Sequence, residues 1–197
     1  MTDYIAFRGP QRIAAGNLHE VARQVRLAAD KSVETILIFD AETAQPVELD
    51  LRGSVADVLA RLPPPQVDAP QPAEPAGESA RRGPGRPKLG VVAREITLLP
   101  RHWDWLALQP GGASVAIRKL VDDARKANSA KDRTRKAQEA AYRFASAMAG
   151  DQPNYENAMR ALFAADRPQF DAMTQDWPAD IRDHARRMSE PCFGMAQ

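Results

Sequence analysis

The sequence predicts an α+β chain: a small N-terminal antiparallel sheet with helices, a proline-rich linker, a short strand followed by two helices, and a C-terminal helical bundle. Three observations carry this reading. Short β-rich runs fall in the first 51 residues, whereas apolar residues at helical spacing dominate after residue 100. Prolines cluster between Pro63 and Pro75 among Ala, Gln, Glu and Asp, a composition with little to bury. Charge is segregated: residues 1–80 carry a net −5, residues 81–143 a net +9 and residues 144–197 a net −3, so a basic middle suited to a polyanion lies between acidic flanks.

Within residues 1–62, Tyr4 to Arg8 reads as a strand, Gly9-Pro10 as a turn and Gln11 to Gly16 as the returning arm. Asn17 is placed to cap a helix reaching about Asp30, with Leu18, Val21, Ala22 and Val25 on its apolar face. Residues 33–39 form a β-rich run. After the turn at 40–43, residues 47–51 alternate strictly and are expected to be its hairpin partner. Ser54 caps a last helix ending near Leu62. Asp40, Glu42, Glu48 and Asp50 lack the spacing and the glycine of a calcium loop, so they read as surface carboxylates. The unit is expected to stand alone, with protein contact or regulation as its role. Residues 63–80 are the linker and a domain boundary.

Residues 81–90 are a basic arm. Glycine and proline keep a backbone thin and extended, which suits a minor groove only ~6 Å wide, and narrow A·T-rich grooves attract an inserted arginine. The run Arg81-Arg82-Gly83-Pro84-Gly85-Arg86-Pro87-Lys88 resembles the AT-hook. The resemblance implies that Arg86 inserts, Gly85 and Pro87 shape the chain, and Arg81, Arg82 and Lys88 contact phosphates. Pro84 stands where that motif usually has a basic residue, which counts against tight binding by the arm alone.

Residues 91–128 follow as a core. Arg94-Glu95-Ile96-Thr97-Leu98-Leu99 reads as a strand, and Pro100 suits the first turn of a helix. That helix ends at Pro110-Gly111-Gly112. A second opens at Ala113 or Ser114 and carries Val115, Ile117, Leu120, Val121 and Ala124. A strand into Leu99-Pro100, a Gly-Gly turn and Ser114-x-x-Ile117-Arg118-x-Leu120-Val121 together resemble the ribbon-helix-helix repressors and antitoxins. The resemblance implies a homodimer whose paired strands enter the major groove, with Arg94, Thr97 and Arg118 facing DNA and the helix start at Ser114 gripping phosphate. In that family the outward strand residues are usually polar; here Arg94, Ile96 and Leu98 share one face and Glu95, Thr97 and Leu99 the other. With Ile96 and Leu98 packed inward only Thr97 and an acidic Glu95 face DNA, so binding through backbone and shape is expected over base reading. Trp103 and Trp105 are expected in a core or dimer interface.

Residues 129–197 read as helices: one carrying Ala140, Phe144 and Met148, one from Asn154 with Met159, Leu162 and Phe163 inward, one capped by Asp166, and a last one from Ala179 to Met188. His184 reads as a surface residue and Cys192, the lone cysteine, as an inert thiol. Over most of its length the chain also resembles a conserved bacterial family of unknown function, through its N-terminal part, the Gly-Arg-Pro segment and Leu99-Pro100-Arg101-His102-Trp103-Asp104-Trp105-Leu106.

No run of ~18 apolar residues is present and the N-terminus has no signal segment, so a cytoplasmic protein on the nucleoid is expected, with no membrane contact. No Gly-rich phosphate loop, nucleophile elbow or His/Cys cluster appears, so neither enzymatic activity, metal nor cofactor is expected. The leading expectation is a dimeric DNA-binding protein, a transcriptional repressor or nucleoid-associated factor favouring A·T-rich duplex. The alternative is an antitoxin-like interaction protein in which the ribbon serves mainly dimerisation and the N-terminal unit meets a protein partner.

Overall fold

The computed structural model describes residues 3–30, 34–64, 92 and 94–194. It is a mixed α+β structure with three strands and seven helices among the described residues. Two compact units are formed: Met1–Gln66 with Ser129–Gln197, and Val67–Asn128.

In the larger unit, β1 (Tyr4–Arg8) lies between β2 (Gln11–Gly16) and β3 (Ile36–Asp40), antiparallel to both. Gly9 makes the β1–β2 turn at φ 52°, a left-handed conformation that costs glycine little. A bulge between Ala6 and Phe7 shifts the β2 register. Three consecutive β1 residues, Ile5, Ala6 and Phe7, are all buried. Successive strand side chains point to opposite faces, so this sheet must be covered on both sides.

One face is covered locally. Helix α1 (Leu18–Ala29), capped by the Asn17 side chain accepting from the Glu20 amide at 3.0 Å, buries Val21 and Val25 against Ala6 and Ile38. Helix α2 (Val55–Arg61) starts with a reciprocal capping box between Ser54 and Asp57. The residues at 47–51 are not the expected strand. Beyond the bridge of Phe39 to Pro46 and the Val47 amide donating to the Ile38 carbonyl at 2.8 Å, no ladder continues among the described residues. At the end of this segment and just beyond it the backbone is held by side chains: Arg61 donates to the carbonyls of Asp50 and Arg52, and Arg26 to that of Gly53. The alternation encodes burial instead: Val47, Leu49 and Leu51 pack on the α1 side of the sheet. The carboxylates here act locally. Asp40 accepts from the amides of Glu42 and Thr43 to close its turn, and Asp50 takes a two-pronged contact from Arg52.

The other face is covered by residues far along the chain. Helix α4 (Ala113–Ala149) delivers Ala141, Phe144 and Ala145 from its part in the larger unit, and helices α5 (Tyr155–Phe163), α6 (Arg167–Met173) and α7 (Ala179–Phe193) add Leu162, Phe170, Ile181 and Ala185. Ile5, Phe7 and Phe39 belong to this same core. Phe144 meets Phe7 at 5.3 Å and Phe39 at 5.6 Å between ring centroids, in tilted and edge-on geometry. The expectation that residues 1–62 stand apart from residues 129–197 is therefore corrected: a sheet apolar on both faces cannot be closed by α1 and α2 alone.

Details of the bundle follow from its caps. Asp166 accepts from the Gln169 amide at 3.0 Å to start α6, and Trp177 Nε1 donates to the Pro153 carbonyl at 2.9 Å. Phe163, expected inward, is exposed and stacks obliquely on Tyr142 at 5.8 Å. Cys192 is buried, and burial pushes its thiol up to about 11, which keeps it protonated and unreactive at neutral pH.

Phe144→Ala removes the ring that joins sheet to bundle, so a loss of about 3–5 kcal/mol is expected in denaturant unfolding. A loss below about 1 kcal/mol would show that the two halves do not depend on this contact.

Candidate nucleic-acid interface

The candidate interface lies in the smaller unit. Arg81, Arg82, Gly85, Arg86, Pro87 and Lys88 fall outside the described residues. Residues 94–99 run into helix α3 (Pro100–Ala107) without forming a strand within the described chain. Pro100 occupies the first turn, where its missing N–H is no loss, and the His102 amide donates to the Leu99 carbonyl at 2.8 Å. Gly111 and Gly112 then take φ 84° and 76°. A Cβ on Gly111 would meet the Val115 side chain at 3.2 Å, so both backbone angle and space favour glycine there. The Val115 and Ala116 amides donate to the Gly112 carbonyl at 3.1 Å, which opens α4.

Arg94 and Thr97 are exposed on the extended segment, and Ser114 and Arg118 are exposed one turn apart at the start of α4. Arg118 Nε donates to the Ser114 carbonyl at 2.9 Å, so its guanidinium folds back along its own helix. Ser114 and Arg118 are thus brought together by helical spacing. Arg125, seven residues or about two turns beyond Arg118, lies on the same side of α4.

Burial in this unit is sparse. Leu106 and Ala116 are the buried apolar side chains among described residues 92–128. Val92, Ile96, Leu99, Trp103, Trp105, Leu108, Leu120 and Val121 are exposed, Leu108 at 82%. The tryptophans therefore do not enter a core of their own chain. The boundary expected between residues 128 and 129 is a change in packing, not a break in structure: α4 runs through it as one 37-residue helix. No glycine or proline occurs between Ala113 and Ala149, so nothing local stops the helix before Gly150.

One residue of chemical interest was not legible as such. His184, expected on the surface, is 4% exposed. Its ring stands edge-on to Phe144 at 4.5 Å and to Phe7 at 5.8 Å, and neither ring nitrogen has a hydrogen-bond partner among the described protein groups. A signal was present in the sequence: Ile181, His184, Ala185 and Met188 recur at helical spacing, which puts the imidazole on the apolar stripe of α7. Burial first, then the charges of Arg187 and Arg12, lowers its pKa to about 4.

The sign of the resulting pH dependence is fixed. The unfolded chain binds a proton near pH 6.5 and the folded chain only near pH 4, so stability is fully present above pH 6.5 and falls as pH drops through that window. His184→Phe is expected to remove about 3 kcal/mol of this acid sensitivity, read as a flatter plot of unfolding free energy between pH 6.5 and 4. An unchanged slope in the variant would assign the acid loss to other groups.

Among the described residues no cluster of three or more His, Cys, Asp or Glu is placed to hold a metal ion, and no helix is long and apolar enough to cross a membrane. No curated protein and no solved structure matches the chain. A family match covers residues 3–189, nearly the whole length: DUF2239, an uncharacterized protein conserved in bacteria. The chain, with its two-sided sheet and its sparsely buried helix pair, belongs to that bacterial family, DUF2239.

Proposed function

We propose that this protein is a dimeric DNA-binding factor, acting as a transcriptional repressor or nucleoid-associated protein, in which the smaller unit pairs with a second copy and the Gly85-Arg86-Pro87 arm lies in an A·T-rich minor groove. The observation that supports it best is the apolar surface of residues 92–121. Eight large apolar side chains exposed on so short a stretch form the kind of surface that marks an interaction site. A second copy would cover Ile96 and Leu99 by pairing the two extended segments, and would satisfy backbone groups that a lone strand leaves to water.

Charge supports a nucleic-acid partner. The apolar surface lies inside the basic stretch 81–143, net +9, with Arg81, Arg82, Arg86 and Lys88 ahead of it and Arg118, Lys119, Arg125 and Lys126 along α4. Neutralising phosphates releases counterions, so affinity should fall steeply with salt, with a logarithmic slope of about −0.9 per phosphate contacted. A second reading, an antitoxin-like protein, is favoured by Trp103 and Trp105, which stand 42% and 48% exposed: exposed tryptophan is typical of protein-binding hot spots.

The test compares A·T-rich and G·C-rich duplexes by fluorescence anisotropy over a salt series. Arg86→Ala is expected to weaken A·T-rich binding about tenfold and G·C-rich binding much less, a difference within the usual range for one inserted or bidentate arginine. Equal loss on both duplexes removes the minor-groove arm. No binding to either at low salt removes the DNA reading and leaves the protein-partner one.

A further inference from the structure

We propose that the cleft beside His184 is a binding site for a small oxyanion, a carboxylate or phosphate group, held by a ring N–H of His184 and by Arg187. The site lies wholly within the larger unit and does not rest on the DNA reading. The cleft has a volume of about 280 Å³ and opens where the start of β1, the end of β2 and α7 meet; its wall includes Tyr4, Ile5, Gly16, His184, Arg187 and Met188. That volume lies just under the usual range of ligand pockets, which begins at about 300 Å³, so it suits only a small group.

The case for a ligand starts from an imbalance. A neutral imidazole carries one N–H donor and one acceptor nitrogen, and leaving a buried polar group unpaired is destabilising. His184 is buried against the rings of Phe7 and Phe144, and both of its nitrogens are without a protein partner among the described residues. A residue whose only task was to fill that space would be an apolar one, since phenylalanine or leucine fits an aromatic niche without the polar penalty. The imidazole is in the wall of a cleft, so a group bound there lies beside the ring.

The sign of the ligand follows from the charges around the ring. Arg187 on α7 lines the cleft, and Arg12 on β2 acts on the imidazole from the sheet side. Asp3 is the carboxylate in the wall, and it is exposed at the rim; Tyr4 is the remaining titratable group there. Asp180, which also faces β2, is already engaged by the Arg12 amide at 2.8 Å. Neither Arg187 nor the Arg12 guanidinium has a carboxylate within ion-pairing distance among the described residues, and Arg187 is the one of the two that lines the cleft. An oxyanion gives His184 the acceptor it lacks and gives Arg187 its counter-charge, a charge-assisted contact on both sides.

The experiment follows the His184 ring signals by NMR in the full-length protein at pH 7, titrating inorganic phosphate in one arm and acetate in the other at constant ionic strength set by chloride. A saturable, millimolar shift of His184 is expected in at least one arm, and the responding arm identifies phosphate or carboxylate as the chemistry. The His184 titration midpoint should then move upward with the anion, because a bound negative charge favours the imidazolium. Arg187→Ala, an exposed substitution, should weaken the response at least fivefold while the backbone spectrum stays folded; His184→Gln, which keeps a donor, should retain binding in the same arm as read by the Arg187 side-chain signals. No saturable shift with either anion overturns the site, and so does a response that Arg187→Ala leaves unchanged.

Discussion

Burial of β1 on both faces is the constraint on which the larger unit depends. Ile5 and Phe7 point to one side and Ala6 to the other, and all three are closed to solvent. Helix α1 supplies the cover for Ala6 from the next dozen residues, but Ile5 and Phe7 are covered by Phe144 and its neighbours, more than 130 residues later. The N-terminal sheet and the C-terminal helices are thus one folding unit. Phe144 is its hinge point in energetic terms, because a single ring fills the space shared by Phe7, Phe39 and His184.

The smaller unit has the opposite balance. Where the larger one closes its apolar surface, residues 92–121 leave theirs largely open, with Leu106 and Ala116 buried among the described residues. Burial is worth roughly 25 cal/mol per Å² of apolar surface, so an exposed set of Trp, Leu, Ile and Val side chains is a standing drive toward association. The long helix α4 takes part in both units: its stripe meets water at Leu120 and Ala124 and becomes core from Ala140 onward. One helix therefore carries an open apolar surface at its start and the centre of the main core near its end.

Much of this was legible locally. The hairpin of β1 and β2, the caps at Asn17, Ser54 and Asp166, and the turn at Gly111-Gly112 all follow from short-range chemistry, and each appears where the residues place it. What was not legible is the long-range pairing of surfaces. Alternation at 47–51 signals the burial of Val47, Leu49 and Leu51, yet the pairing with β3 goes no further than Pro46 and Val47 and no strand forms. Phe163 looks as apolar as Leu162 in sequence, and which of them is buried depends on how α5 is turned by its neighbours. A histidine reads as polar, so residue type alone puts His184 at the surface, although its neighbours at helical spacing are apolar and the ring is buried. For the proposed interface, residue type and charge were readable from the sequence, whereas the lack of intrachain cover for residues 92–121 emerged only in three dimensions.

The most direct measurement is the mass of the full-length protein in solution, by sedimentation equilibrium across a concentration range, alone and with a short A·T-rich duplex. The account predicts a dimer, two chains per duplex, and a shift to monomer in Ile96→Asp, which places a charge on the surface meant to be covered. A monomer at every concentration, unchanged by the duplex, would contradict it and leave the apolar surface of residues 92–121 to a different protein.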